Sequence, residues 1–434
     1  STGSFSVLLD VEFESGHLIK EKTITVSGAV QCGDGACEGS ETAWSCPADC
    51  ALEPEESGRA GGSDRRPTMP AAAGGVSGVG GTLWKTQAIV YNPGLEPVSF
   101  IVEFTPRNKT WILQKGPFDL EPGRSMYWDN IIEELFNRTG SGGLWIDASA
   151  PVLFLTRTYT ENPTTKKAEG GGTFGEGRYA LREIFSLGLG DGEVYLIGLQ
   201  HDDYFRSNLY FQEVDGSEVK LEVEIFDSSG QRLRRRLVDV DGHSSKLRNL
   251  EDLGADGVHS AYATVEVVEG NGRVAVGGSV IDNITGDPTA LDAIHPTQVA
   301  KKSASEQHFL VAAVAHTTGT YESVWRSGLT ILNPTSVSQN VTLRYEVEVD
   351  RTGVIGEFLE ESVTLSAGQQ LDWKDVLVEF FGAPESAKTQ GALHVFSSDS
   401  LMVNSRTYNE RSDGGTFGLG LPGLKSGDLI SSEG

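Results

Sequence analysis

The chain has 434 residues and, with 35 basic against 61 acidic side chains, a formal charge of −26. Such a surface repels phosphate backbones and anionic lipid, which sets nucleic-acid and membrane-surface roles aside, and no stretch approaches the ~18 uninterrupted apolar residues that a spanning helix needs. The 53 glycines and 16 prolines fit many short strands joined by turns rather than a compact helical enzyme.

The first element is a strand. Phe5, Val7, Leu9, Val11 and Phe13 alternate with Ser6, Leu8, Asp10, Glu12 and Glu14, the period of a long amphipathic strand. A Ser15-Gly16-His17 turn leads to a second strand through Ile24 and Val26, so residues 1–30 read as a strand pair. A two-stranded ribbon is marginal alone, and five large apolar side chains on one face need a cover. Three covers are open: a removed upstream domain, the chain's own first sandwich, or a neighbouring molecule whose sheet the strand joins. The chain starts at Ser1 without a leader-like apolar run, which leads to the expectation that a leader has been cleaved.

Residues 31–51 hold all four cysteines, Cys32, Cys37, Cys46 and Cys50. An even, clustered set separated by glycine and proline reads as a disulfide knot made in an oxidising compartment. The rival zinc reading suffers from the C-x4-C-x8-C-x3-C spacing and from the want of a nearby histidine. Three pairings are open, with Cys32–Cys46 and Cys37–Cys50 preferred. Asp34, Glu38, Glu41 and Asp49 crowd into the same loop with no cation among them. Hard oxygen ligands at that density suit Ca²⁺, with Asp34, Glu41 and Asp49 foremost; the alternative is a spacer whose acids face water. The segment Cys32-Gly33-Asp34-Gly35-Ala36-Cys37 with Cys46-Pro47-Ala48-Asp49-Cys50 resembles the "CGDGxC…CPxDC" segments of secreted bacterial proteins.

Residues 52–81, rich in Glu, Pro, Gly, Ala and Arg, read as a linker and lead-in strand. Internal repetition then dominates. Trp84-Lys85-Thr86 running to Asn92-Pro93 matches Trp325-Arg326-Ser327 running to Asn333-Pro334. Leu120-Glu121-Pro122-Gly123 matches Leu365-Ser366-Ala367-Gly368, and Trp128-Asp129-Asn130-Ile131 matches Trp373-Lys374-Asp375-Val376. Arg157-Thr158-Tyr159 answers Arg406-Thr407-Tyr408, and Gly171-Gly172-Thr173-Phe174-Gly175 answers Gly414-Gly415-Thr416-Phe417-Gly418. Residues 66–182 and 303–424 are therefore two copies of one β-sandwich. Residues 183–302 form a divergent copy opening on Phe205-Arg206-Ser207 and carrying the alternating Val219, Leu221, Val223 and Ile225 before a Ser228-Ser229-Gly230 turn. About seven period-2 runs per copy, separated by turn residues, indicate an antiparallel sandwich of immunoglobulin-like architecture. One short helix is predicted in each outer copy, near Asp129–Asn137 and Lys374–Phe381. The tail 425–434 parallels the lead-in to the middle copy, from which we expect the precursor to continue beyond Gly434.

These repeats resemble the tandem immunoglobulin-like β-sandwich regions of large secreted bacterial proteins, with their Trp-Arg-Thr…Asn-Pro opening and Gly-Gly-Thr-Phe-Gly close. The middle copy's Asp282-Asn283-Ile284-Thr285-Gly286-Asp287-Pro288 is similar to the companion type found beside them. The resemblance implies an extracellular, modular, non-catalytic protein.

Catalytic motifs do not emerge: the sequence has no G-x-S-x-G, H-E-x-x-H or G-x-x-x-x-G-K-[ST]. The eight histidines scatter, and the repeat sets His316 opposite Gly75, so no imidazole site recurs. Arg157 and Arg406 read as strand-end arginines paired with carboxylates or carbonyls. Trp84, Trp325, Trp128 and Trp373 read as packing anchors, ahead of sugar platforms. The run Arg232, Arg234, Arg235 and Arg236 is expected to meet acids of a neighbouring module. The expected protein is an all-β, secreted, non-enzymatic structural or adhesive chain of three tandem sandwiches. It would take calcium and associate with copies of itself, with neighbouring extracellular proteins or with glycans, and strand pairing would build a fibre. The alternative is the surface- or glycan-binding accessory region of a secreted hydrolase.

Overall fold

A computed structural model describes residues 3–13, 16–26, 66–78, 81–161, 173–182, 185–299, 307–319, 323–347 and 358–425. The chain divides into two compact units, Ser1–Ser57 with Ile430–Gly434 and Gly58–Leu429. In the first, β1 (Gly3–Phe13) and β2 (Gly16–Val26) pair antiparallel from Gly3↔Val26 to Phe13↔Gly16, the strand pair expected from the alternation.

The second unit is all-β and sandwich-like, with its strand pairings falling into three sets. The first block contains β3 (Thr68–Ser77), β4 (Leu83–Tyr91), β5 (Val98–Pro106), β6 (Leu113–Leu120), β7 (Ser125–Trp128), the helix α1 (Ile131–Phe136), β8 (Gly140–Ala148), β9 (Leu153–Glu161) and β10 (Thr173–Tyr179). The second runs β11 (Glu193–His201), β12 (Phe205–Glu213), β13 (Val219–Asp227), β14 (Arg232–Val240), β15 (Ser245–Asn249), β16 (Val258–Gly270), β17 (Val274–Asp282), β18 (Pro288–Asp292) and α2 (Pro296–Val299). The third runs β19 (Gln307–Thr318), β20 (Val324–Leu332), β21 (Gln339–Val347), β22 (Phe358–Leu365), β23 (Gln370–Trp373), α3 (Val376–Glu379), β24 (Thr389–Ser397), β25 (Met402–Glu410), β26 (Thr416–Pro422) and β27 (Leu424–Lys425).

The outer blocks share one strand order: β10-β9-β4-β3-β8-β5-β6 with β7 on β4, and β26-β25-β20-β19-β24-β21-β22 with β23 on β20. The middle block keeps the same neighbours but splits into β11-β16-β13-β14 and β15-β12-β17-β18. Each block has its own apolar core, and alternation explains it. In β13, Val219, Leu221, Val223 and Ile225 are buried while Lys220, Glu222 and Glu224 between them stay partly open. The two predicted helices are present and short. Asn130 caps α1 by accepting from Glu133 N, Glu134 accepts from Asn130 N in return, and Ile131, Ile132 and Phe136 face the core.

The repeated motifs have structural duties. The first strand of an outer block serves two sheets. β3 pairs with β8 over Thr68–Gly74 and with β4 over Gly74–Ser77, and β19 passes likewise from β24 to β20. At the crossing a backbone N–H leaves the ladder, and a buried hydroxyl takes it: Ala73 N donates to Thr86 Oγ1 at 2.7 Å, and Ala315 N to Ser327 Oγ at 2.8 Å. In the middle block Gln200 N donates to Ser207 Oγ at 2.9 Å. Five residues before each caught N–H, the block's closing segment returns to its first strand, at Thr68↔Leu181, Tyr195↔Ile294 and Leu310↔Leu424.

The repeated Asn-Pro is a second clamp. Asn92 Nδ2 donates to the Glu96 and Leu120 carbonyls, and Asn333 Nδ2 to those of Val337, Leu365 and Ser366. Each ties one turn to the next, where Gly123 and Gly368 adopt positive φ (66° and 67°). The middle block places Glu213 there, fully buried. Its carboxylate accepts from the backbone N–H groups of Asp215 (2.7 Å), Gly216 (2.8 Å) and His243 (2.6 Å).

Ser327→Ala strands the half-buried Ala315 N–H, and the expected loss is about 1–3 kcal/mol. Urea unfolding with an unchanged slope reads it; a loss below ~0.5 kcal/mol would mean the hydroxyl is not what holds the crossing.

Candidate functional site

The four cysteines, together with Asp34, Glu38, Glu41 and Asp49, lie outside the described residues. Phe5, Val7, Leu9, Val11 and Phe13 fall on β1, though their side chains lie outside as well. Among the described residues no group of three or more His, Cys, Asp or Glu side chains is placed to hold a metal ion. What the structure does bring together is polar chemistry at the seams between blocks.

The seam between the second and third blocks is built on the Asp282–Pro288 loop. Asp282 Oδ2 accepts from Thr416 N and Thr416 Oγ1, both at 2.7 Å, while its Oδ1 accepts from Ile284 N and Thr285 N. Asp287 Oδ2 accepts from Gly418 N at 2.7 Å and from Arg406 Nη2 at 3.3 Å. The second Gly-Gly-Thr-Phe-Gly motif thus presents its backbone to two aspartates, both 2% exposed. Burial pushes the Asp287 carboxyl up to about 6, although Gly418 N–H and Arg406 pull the other way, and burial likewise lowers the Arg406 guanidinium. A second contact in this seam is apolar. Tyr195, Ile197 and Tyr262 of the middle block belong to the third block's core, and Phe226 stacks on Tyr262 at 4.9 Å. The turn at Gly230 rests on Gly368, where a Cβ on Gly230 would come within 2.8 Å of the Gly368 carbonyl oxygen.

The seam between the first and second blocks turns on Arg178, which is 8% exposed. It donates to the Gly278 and Leu291 carbonyls of the middle block and to both oxygens of Glu176 on its own strand. Burial raises the Glu176 carboxyl against the pull of Arg178. The apolar part is small: Trp145, Leu181, Val214 and Ala275. Around it Thr105 Oγ1, Trp145 Nε1, Gln212 Oε1, His243 Nδ1 and Ser244 Oγ are buried without a hydrogen-bond partner. The two seams therefore differ in kind, one sharing a core and the other polar and loosely satisfied.

Other residues singled out in the sequence fall as follows. Arg406 is paired with a carboxylate as expected, while Arg157 Nη2 donates to the Thr173 carbonyl and hydroxyl at the strand end. Trp128 is buried edge-on to Phe118, and Trp373 packs on Phe380. The arginine run needs a correction. Arg232 pairs with Glu224 at 2.6 Å and Arg235 with Glu222, so the acids sit on β13, the adjacent strand of the same block, rather than on another module. The hairpin turn at Ser228-Ser229-Gly230 folds β13 onto β14 and sets this register. Sequence reasoning missed a histidine pair: His308 and His394 share a hydrogen bond at 2.8 Å between Nε2 and Nδ1, and His394 Nε2 lies 3.4 Å from Glu346. It also missed the Glu213 clamp. The first has no sequence signal, whereas the second was readable as the acid standing six residues after Ser207, where Asn92 and Asn333 stand six after Thr86 and Ser327.

No protein-family model matches this chain, and neither does any curated protein. Among solved structures, one described as "Crystal Structure of Thermotoga maritima 1070" aligns with 29% of this chain and 96% of its own, at 14% identity and a TM-score of 0.21. A likeness at that level carries no argument about fold or activity.

Asp287 supplies a pH test. Its folded value of about 6 lies above the ordinary 3.8, so the folded state binds this proton more tightly. Its contribution to stability is whole below pH ~4 and is lost as pH rises through ~6, by at most about 3 kcal/mol. Asp287→Asn keeps an acceptor for Gly418 N–H and removes the titration. The stability difference between variant and parent should grow in the variant's favour from pH 4 to pH 6 and then level off; a difference independent of pH would contradict the assignment.

Proposed function

We propose that the chain is a secreted, non-catalytic structural or adhesive protein, built on three copies of one immunoglobulin-like sandwich and joined to its neighbours by strand pairing between molecules. The observation that carries this reading is a contrast among three equivalent edge strands. β6, β14 and β22 each end the sheet of their block on the same side. Unpaired edges invite another strand, and proteins blunt them with proline, bulges and charge. β6 carries Pro117, and the ladder beside it is broken between Phe100 and Val102. β14 carries four exposed arginines, with a break between Ile225 and Phe226. β22 has no proline and no break, and the charges it carries, Glu360 and Glu361, are acidic. It pairs with β21 without interruption from Gln339↔Leu365 to Glu346↔Phe358, contains no proline or basic residue, and exposes Phe358 (58%) and Leu359 (44%).

An eight-residue open edge accepts an extended segment by main-chain hydrogen bonding, with alternate side chains setting the register. The strictly alternating stretch from Phe5 to Phe13 of a neighbouring molecule is the donor on this reading. The repeated polar residues support it in another way. Thr86, Ser207, Ser327, Asn92, Glu213, Asn333, Asp282 and Asp287 are all engaged in holding backbone in place. We further propose that residues 31–51 form a disulfide knot that holds Ca²⁺ on Asp34, Glu38, Glu41 and Asp49.

Two measurements test these readings. Sedimentation velocity over a range of concentrations should show association of the full chain. Leu359→Lys with Glu361→Lys should shift it to monomer while costing less than about 1 kcal/mol of stability, since both positions are exposed. A chain that stays monomeric throughout would sink strand assembly, and association untouched by the lysines would place the joint elsewhere. For the knot, a thiol titration in denaturant should find no free thiol before reduction and four after it, with calcium binding by calorimetry lost on reduction. Four free thiols at the outset would end the disulfide reading.

A further inference from the structure

Between the first and second blocks lies a cavity of about 150 Å³, walled by Ala71, Trp84 and Pro288 and reached by Glu176, Arg107 and Tyr210. That volume takes the body of one six-membered ring, as a cavity of this size in an apolar core holds a benzene, and its open mouth leaves room for ring substituents. The walls select the chemistry of the ring. Trp84 and Pro288 offer apolar surface of the kind that covers the C–H face of a ring. Polar groups line it as well, and Glu176 among them has bonding capacity left over.

Glu176 is buried, and its two oxygens receive only the long Arg178 bonds of 3.3 and 3.4 Å, which leaves carboxylate lone pairs unused. The Arg107 backbone is pinned by Ser141, and its guanidinium has no ion-pair partner among the described residues. Tyr210 shares its hydroxyl with Ser279 at 2.6 Å, and burial raises it to about 12, so it stays protonated at any physiological pH. A hydrocarbon ring would leave the carboxylate with no partner beyond the long Arg178 bonds, which is costly for a buried charge. An anionic ring would meet Glu176 directly. A neutral ring rimmed with hydroxyls satisfies both constraints, because its O–H groups donate to Glu176 and its oxygens accept from Arg107.

We propose that this cavity binds a single neutral pyranose, as a free sugar or as the terminal residue of a glycan. The site is independent of the β22 edge: it lies between blocks one and two, on residues that the strand joint does not use.

The test uses the full chain and a panel of methyl pyranosides (glucose, galactose, mannose and N-acetylglucosamine) in saturation-transfer NMR, with tryptophan fluorescence as a second readout. A ligand of this size held in one small cavity is expected to bind in the millimolar range. Ala71→Leu fills the cavity without removing a polar group, and Arg107→Ala removes the exposed donor at its rim. Each should weaken binding at least tenfold while leaving the melting temperature within a few degrees of the parent. Leu359→Lys with Glu361→Lys should leave sugar binding unchanged. Oligosaccharides ending in the selected sugar distinguish the sources: binding equal to or tighter than the methyl glycoside marks a glycan end, and exclusion marks a free-sugar site. Saturation by no member of the panel, or binding that Ala71→Leu leaves intact, overturns the proposal.

Discussion

A strand that belongs to two sheets must give up a ladder hydrogen bond where it changes allegiance, and a buried N–H without a partner costs about 1–3 kcal/mol. Everything else in the large unit is arranged around the answer to that problem. The hydroxyl of Thr86, Ser207 or Ser327 stands on the second strand of its block, fully buried, and accepts the stray N–H of the first strand. In the outer blocks the same hydroxyl meets a threonine on the next strand, Thr158 at 3.0 Å or Thr407 at 2.7 Å, so three strands are fixed by one polar point. In the middle block Ser207 donates to the Gln200 carbonyl at 2.7 Å. There the first strand never joins the second by ladder bonds, and the block remains two separate four-stranded sheets.

This division of labour explains what could be read in advance. The tryptophan-led motifs, the Asn-Pro turns and the two short helices recur in the sequence because each is satisfied inside one block, by a partner a fixed distance away along the chain. Repetition exposes such features without any coordinates. The alternation of Val219 to Ile225 was legible for the same reason: it reports one face of one strand. The partner of the arginine run lay within reach too, because the turn at Gly230 implies a hairpin, and a hairpin sets Glu222 and Glu224 beside β14. Charge alone points the run to another module, whereas register points it to the neighbouring strand.

The seams were illegible. Arg178 reaches carbonyls of Gly278 and Leu291, and carbonyl positions leave no mark on sequence. Asp282 and Asp287 stand in a segment that looks like a loop motif, yet their partners are backbone N–H groups more than a hundred residues away, presented by a glycine-rich strand. A contact between blocks occurs once, so no internal copy announces it. The same holds for the cavity beside Trp84, which exists only because two blocks meet there.

The clamp at Asn92, Glu213 and Asn333 has a consequence for how such a chain can change. An amide donates as well as accepts, so the turns around Asn92 and Asn333 aim carbonyls at its nitrogen and one N–H, of Gly94 or Thr335, at its oxygen. A carboxylate only accepts, so the turns around Glu213 aim N–H groups inward, from Asp215, Gly216 and His243. Each set suits its own side chain, and a carboxylate in place of Asn92 would face the Glu96 and Leu120 carbonyls that the amide nitrogen now serves. Exchange between copies by recombination must therefore carry the clamp residue together with both turns it holds, about thirty residues of chain in the outer blocks, as Asn92 and the Leu120 carbonyl delimit it. Point mutation has no downhill route from one form to the other. The middle copy's divergence is locked in by its hydrogen-bond polarity, and the three blocks are inherited as wholes.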